Sequence, residues 1–309
     1  MKLRIFIEPQ FGASYDQQVR MAQAAEANGF DALFRSDHFL TMGGDGLPGP
    51  TDSWVTLGGL ARETDRLRLG TLVTSATFRL PGILAVEVAQ VDAMSGGRVE
   101  IGLGAGWYDA EHTACGVPFP PLGERFERLE EQFAILTGLW DTPEGTTFDF
   151  AGKHYRLKDS PALPKPVQQP HPPIIVGGGG AKRTPRLAAT YADEFNLPFS
   201  SVAATEEQFG RVRAACEASG RDPESIVLSA AQTVCCGIDE VEVERRASKI
   251  GQKADALRQH AVAGTTHEVI ERLQEFAAIG AERVYLQVLD LDDLEHIELL
   301  AKEVMPAVG

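Results

Sequence analysis

Two hydrophobic rhythms take turns along this chain. Lys2 to Ile7 is a short β-rich run, and Tyr15 to Asn28 then carries Val19, Ala22 and Ala25 at helical spacing, with Gly29 as a C-terminal stop. Asp31 to Arg35 predicts a second strand, followed by a Gly/Pro-rich loop, and Asp52 or Ser53 supplies an N-cap for a helix from Trp54 to Thr64. Arg68 to Val73 reads as strand three, Pro81 to Met94 as helix three and Val99 to Leu103 as strand four, with Gly96-Gly97 as the turn between the last two.

A proline-bearing stretch follows, then a helix from about Glu124 to Trp140 and an inserted hairpin within Thr146 to Leu157, its strands Thr147–Phe150 and His154–Leu157. The alternation resumes with strand five at Ile174 to Val176 and a helix near Thr184 to Tyr191. Strand six is Glu194 to Leu197, with its helix Glu206 to Ser219, and strand seven is Ile226 to Val234. Helices fill Val241 to Val262 and His267 to Ile279 before strand eight, Arg283 to Leu289, and a closing helix Leu294 to Val304. Eight strands, each feeding a helix, with no linker between halves, predict an α/β fold in one domain over residues 1–309: a single (β/α)8 TIM barrel with an insertion at about 141–172. A two-domain doubly wound sheet would need a break in composition that the chain lacks.

Composition narrows the function classes. With 43% hydrophobic and 24% charged residues the chain has ample core material, which excludes a disordered or fibrous protein. The net charge of −15, with no basic run, argues against nucleic acid or an anionic membrane as partner and leaves a small molecule. Cys115, Cys216, Cys235 and Cys236 form no C-x-x-C pair and read as reduced thiols. No apolar run approaches the ~20 residues of a membrane span, and the first residues lead straight into a strand, so a cytoplasmic protein is expected.

In a barrel of this type chemistry sits in the loops after the strands. His38, in Ser36-Asp37-His38-Phe39, is the one histidine of seven directly after a barrel strand, and a carboxylate neighbour would suit it to general acid or base work; a loop histidine with a structural role is the plainer reading. Gly177-Gly178-Gly179-Gly180 runs from a strand end into a helix, bare backbone suited to a phosphate, with Lys182 and Arg183 beside it. It lacks the spacing of a Walker loop. Gly102-Leu103-Gly104-Ala105-Gly106 lacks dinucleotide-fingerprint spacing, and these glycines better suit the close approach of a flat ring. Trp54, Trp107, Phe39 and Phe78 are candidate aromatic walls, with Trp54 equally well placed as core. Glu111, His112 and Cys115 have no fourth ligand at sensible spacing, so no metal site is expected.

Taken together, Ser36-Asp37-His38-Phe39, Arg68 to Thr74, Asp92 to Arg98, Gly104-Ala105-Gly106-Trp107 and Pro173 to Gly180 make the chain resemble the bacterial-luciferase-like superfamily of flavin and deazaflavin oxidoreductases, and within it the branch dependent on coenzyme F420. The resemblance implies a barrel holding a tricyclic ring at its C-terminal mouth, a homodimer, and His38 with Asp37 as the catalytic pair beside the ring. It implies Thr74-Ser75 as a strand-three bulge, often a non-proline cis peptide, against the ring. Gly104, Gly106 and Trp107 would form the loop on its ribityl side, and Gly177 to Gly180 the phosphate cradle. Sugar-phosphate-oxidising members carry a glutamate where this chain has Trp107, which leaves Glu111, one helical turn on, as the nearest acid. The expected activity is hydride transfer between the deazaflavin and an alcohol, imine or activated C=C bond. The alternative is an FMN-dependent monooxygenase on the same barrel; a non-catalytic flavin binder and a phosphate-binding lyase or isomerase stand further off.

Overall fold

Every barrel strand begins where a loop releases buried backbone and ends at one common mouth. In the computed structural model, which describes residues 1–309, the chain runs β1 (Lys2–Ile7), α1 (Tyr15–Ala27), β2 (Ala32–Arg35), α2 (Ser53–Glu63), β3 (Arg68–Ser75), α3 (Pro81–Ser95) and β4 (Val99–Gly104). Next come α4 (Asp109–Cys115), α5 (Leu122–Asp141), β5 (Phe148–Ala151), β6 (Arg156–Ser160), β7 (Ile174–Gly177), α6 (Arg183–Tyr191), β8 (Glu194–Pro198) and α7 (Val202–Ser219). The last third holds β9 (Val227–Gly237), α8 (Glu240–Lys249), α9 (Ala254–His260), β10 (Val262–Thr265), α10 (Thr266–Ala278), β11 (Arg283–Val288) and α11 (Leu294–Leu299). Parallel pairing in the order β11-β1-β2-β3-β4-β7-β8, closed through β9 against both β8 and β11, makes the predicted eight-stranded barrel. No helix is long and apolar enough to cross a membrane.

Local chemistry accounts for the element starts. Ser14 and Gln17 form a reciprocal capping box on α1, and Asp52 caps α2 by accepting the Val55 N–H at 2.9 Å. The structure departs from expectation at three places. The run Val241 to Val262 is two helices followed by β10, which pairs with Val234–Gly237 of β9 beyond the barrel wall; four residues are too few to announce a period. The hairpin's second strand starts at Arg156, two residues late, because the Glu131 carboxylate accepts the backbone N–H groups of Lys153, His154 and Tyr155 and holds them in the turn. The helix α4 occupies Asp109–Cys115, where the sequence predicts no element between strand four and the next helix.

Inside the barrel the side chains stack in layers. Alternate residues of a strand share a face, so Arg4 and Phe6 of β1 and Glu8 just past its end point inward in turn, as do Arg283, Tyr285 and Gln287 of β11. The lowest layer is a buried charge cluster. Arg4 grips Glu100 of β4 with two bonds, Nη1 to Oε2 at 2.7 Å and Nη2 to Oε1 at 3.1 Å, and reaches Asp31 at 2.8 Å and the Tyr285 hydroxyl at 2.8 Å. Tyr285 donates in turn to Glu194 of β8 at 2.8 Å, and Arg68 and Arg283 close the set on Glu100 and Glu194. Burial opposes the charge on Glu100, but Arg4, Arg68 and Arg283 outweigh it and hold its carboxyl below the ordinary range, whereas on Glu194 burial wins and the carboxyl is raised. Above lies an apolar layer of Phe6, Ala32, Phe34, Leu72, Ile175, Ala231 and Tyr285. The larger core cluster, 59 residues, fills the space between barrel and helices.

Arg4→Met keeps the volume but leaves Glu100 buried without its two-pronged partner. The expected loss is about 3–5 kcal/mol of unfolding free energy, measured by urea denaturation; a loss below about 1 kcal/mol would show that the cluster does not hold the barrel floor.

Candidate active site

At the C-terminal ends of the strands the barrel opens into a cavity of about 610 Å³, within the roughly 300–1,000 Å³ of small-molecule sites. Its lining includes Asp37, His38, Ser75, Gly104, Gly106, Trp107 and Gly177 to Gly180, which the structure thus brings together from the ends of β2, β3, β4 and β7. Trp54, Phe39 and Phe78 are not part of that lining: Trp54 is 3% exposed in the core, where its indole N–H donates to Thr74.

The loop after β2 is fixed by Arg35, a wholly buried residue whose guanidinium holds the Thr51 carbonyl at 2.7 Å and the Thr51 hydroxyl at 2.9 Å. Beyond it, His38 stands with Nδ1 at 3.0 Å from both carboxylate oxygens of Glu111, which also accepts the Phe39 N–H at 3.0 Å. A carboxylate only accepts, so Nδ1 carries the hydrogen. That leaves Nε2 without a protein partner on a ring that lines the cavity. Glu111 is 2% exposed and is delivered by α4. The expected pairing of Asp37 with His38 is therefore corrected: Asp37 lines the cavity, but its carboxylate binds Arg79 at 2.5 Å, and Arg79 also holds Asp52.

The strand-three assignment is corrected as well. Thr71 pairs with Ile101 and Thr74 with Leu103, so β3 carries one extra residue there. The non-proline cis peptide is Leu72–Val73, upstream of Thr74-Ser75. The inserted residue reverses the alternation, turning Val73 and Ser75 toward the cavity while Thr74 faces away, wholly buried against Trp54 and Thr71.

Bare backbone shapes two walls. Gly106 has φ +76°, and a Cβ there would lie 2.3 Å from the Ser75 hydroxyl. Gly178 has φ +126° and open space where a Cβ would be. The cradle leads into α6, whose N-cap Lys182 makes no side-chain cap bond, so the first N–H groups of the helix remain available to an anion. Lys182 and Arg183 are exposed beside it, and Arg183 is anchored by the Gly123 carbonyl at 3.2 Å. Trp107, 65% exposed, stacks on Tyr108 and meets the His38 ring edge-on at 5.9 Å.

Sequence reasoning missed Glu8. It follows β1 directly, lines the cavity, and its carboxylate accepts from the amides of Gln10, at 3.1 Å, and Gln287. Burial raises its carboxyl above the ordinary range, only partly offset by those amides and by His38. The strand-end rule applied to strand one would have found it.

Comparison with known proteins gives the family and relatives of the same fold. A family model described as luciferase-like monooxygenase matches residues 1–255. The chain is 25% identical over 337 aligned residues to an FMNH2-dependent dimethylsulfone monooxygenase of Pseudomonas putida, covering 98% of this chain and 90% of that enzyme. It is 37% identical over 172 residues to an F420-dependent glucose-6-phosphate dehydrogenase of Microbacterium testaceum, covering 55% of this chain and 49% of the relative. Among solved structures, an F420-dependent secondary alcohol dehydrogenase in complex with an F420-acetone adduct superposes with a TM-score of 0.86 at 20% identity, covering 100% of this chain and 99% of the other.

Glu8 offers a pH test. Because its native carboxyl lies above the ordinary 4.5, the wild type's stability relative to a non-titrating Glu8→Gln variant is greatest below that value and declines as pH rises through the native one. Urea unfolding of both proteins across a pH series should show that decline; a pH-independent difference would place Glu8 in an ordinary solvated setting.

Proposed function

This chain belongs to the luciferase-like monooxygenase family, and on that premise we propose that it is a coenzyme F420-dependent oxidoreductase passing a hydride between the deazaflavin and a small organic substrate, an alcohol, an imine or an activated C=C bond. The observation that carries the reading is the His38–Glu111 pair, with Nδ1 held at 3.0 Å by the carboxylate. Nε2 is left at the cavity as a proton acceptor or donor. Hydride transfer to or from such a substrate moves one proton, and that is the task this pair is built for.

The residues present fit a deazaflavin. Gly104, Gly106 and Val73 offer a smooth wall for a flat ring, and Gly177 to Gly180 with the uncapped start of α6 suit a phosphate. Exposed Lys182 and Arg183 suit an acidic tail beyond it. When bound, the reduced deazaflavin supplies a hydride from carbon and does not readily activate oxygen. The chain's own part is to keep that step dry and aligned. Leu122, Phe126, Leu129 and Phe199 give the cavity its apolar side, where water is disfavoured. When His38 takes a substrate proton, the carboxylate of Glu111 stabilises the resulting imidazolium and prevents the ring from turning.

Titrating the protein with F420 and with FMN while following cofactor fluorescence is the direct test, with F420 binding expected. Micromolar binding of FMN with none of F420 would make the chain an FMN-dependent monooxygenase instead. With the binding cofactor in hand, His38→Ala should lower kcat about 10²–10⁴-fold and leave cofactor affinity unchanged. Unaltered turnover would remove His38 from the chemistry.

A further inference from the structure

Behind the cavity wall, on the β3 side, runs a second polar line that the His38–Glu111 pair does not use. Ser75 Oγ lies 2.6 Å from Thr77 Oγ1, Thr77 Oγ1 lies 2.6 Å from His112 Nε2, and His112 Nδ1 lies 2.7 Å from the Tyr108 carbonyl oxygen. Ser75 lines the cavity; His112 is 1% exposed, flanked by the rings of Phe78 and Phe119.

The hydrogens along this line have one direction. A carbonyl oxygen accepts, so His112 Nδ1 carries the ring hydrogen, and in the neutral imidazole Nε2 is then a bare lone pair. Thr77 must donate to it. With its own hydrogen spent on His112, Thr77 Oγ1 accepts from Ser75, whose hydrogen therefore points away from the cavity. Ser75 Oγ is left with lone pairs only, one of them turned to a longer contact with the Thr77 N–H at 3.4 Å. Gly106 gives this oxygen its access, since any Cβ there would sit 2.3 Å from it.

We propose that Ser75 is an obligate hydrogen-bond acceptor for an N–H or O–H group of the ligand in this cavity, with Thr77 and His112 as positioning residues that fix its direction. The line selects at this point for a hydrogen-bearing group and against one that offers only lone pairs, because two facing acceptors would both lose their hydrogen bonds. The inference rests on the cavity being the cofactor and substrate site. It holds for either cofactor, so its failure and that of the deazaflavin reading are distinct results.

The test is a double-mutant cycle on the full chain, read with whichever of F420 and FMN binds. Ser75→Ala and Thr77→Val should each weaken binding or raise KM about three- to tenfold, and the double variant should lose no more than either single one, because Thr77 acts only through Ser75. Thr77→Ser should restore wild-type behaviour. A loss in cofactor affinity assigns the donated hydrogen to the cofactor; a rise in substrate KM at unchanged cofactor affinity assigns it to the substrate. Additive losses, or a silent Ser75→Ala, would overturn the proposal. Independently of any ligand, 15N NMR of histidine-labelled protein should show His112, assigned by its absence in His112→Gln, with its hydrogen on Nδ1. A hydrogen on Nε2, alone or together with one on Nδ1, would reverse the line and refute it.

Discussion

The charge cluster around Arg4 sets the height of everything above it. Its members sit on β1, β3, β4, β8 and β11, so one set of bonds fixes the relative register of strands far apart in sequence. Four of those strands, β1, β4, β8 and β11, then lead to a mouth residue on the same face a few positions on: Glu8 above Arg4, Gly104 above Glu100, Asn196 and Pro198 above Glu194, and Gln287, bonded to Glu8, above Tyr285. Because strand residues rise about 3.3 Å each, a slip of one register at the floor would turn the cavity-lining side chains into the helix layer. The guanidinium of Arg4, 5.4 Å from the ring centres of both Phe34 and Tyr285, also ties the floor to the apolar layer that separates it from the site.

The same alternation explains what could be read from the sequence. Strand order, the barrel and the glycine-rich loops were legible because period-two and helical runs are local, and a barrel sends every strand end to one mouth. Where the alternation breaks, reading fails: counting inward positions from Arg68 gives Leu72 and then Thr74; Leu72 does face inward, but the extra residue in β3 brings Val73 and Ser75 to the cavity after it and turns Thr74 away. A bulge is set by pairing with β4, which one strand's sequence does not display. The partner of His38 was hidden for a similar reason. Asp37 is its neighbour in the chain and lines the same cavity, but its carboxylate turns to Arg79. Glu111 arrives from 73 positions away on α4.

That short helix links the two halves of the site. Glu111 and His112 are consecutive, so their side chains leave α4 about 100° apart. One reaches the loop after β2 and the other the loop after β3. A single seven-residue element therefore positions both the histidine that faces the cavity and the hydroxyl line behind the neighbouring β3 side of the wall. Displacing α4 would disturb both together.

On the proposed function, a chain of net charge −15 would have to keep its own carboxylates from opposing an anionic cofactor at the mouth. Each acid there is dealt with separately. Asp37 shares Arg79 with Asp52, and Glu111 faces an imidazole and a backbone N–H. Burial moves Glu8 toward its uncharged form. The uncancelled negative charge lies elsewhere, on exposed helix faces such as Glu206 and Glu217 of α7, and over such distances salt screens it, with a Debye length of about 8 Å at physiological strength. On that reading, what an arriving phosphate would meet at close range is the start of α6, with Lys182 and Arg183 beside it, a local positive end that acts within the first helical turn.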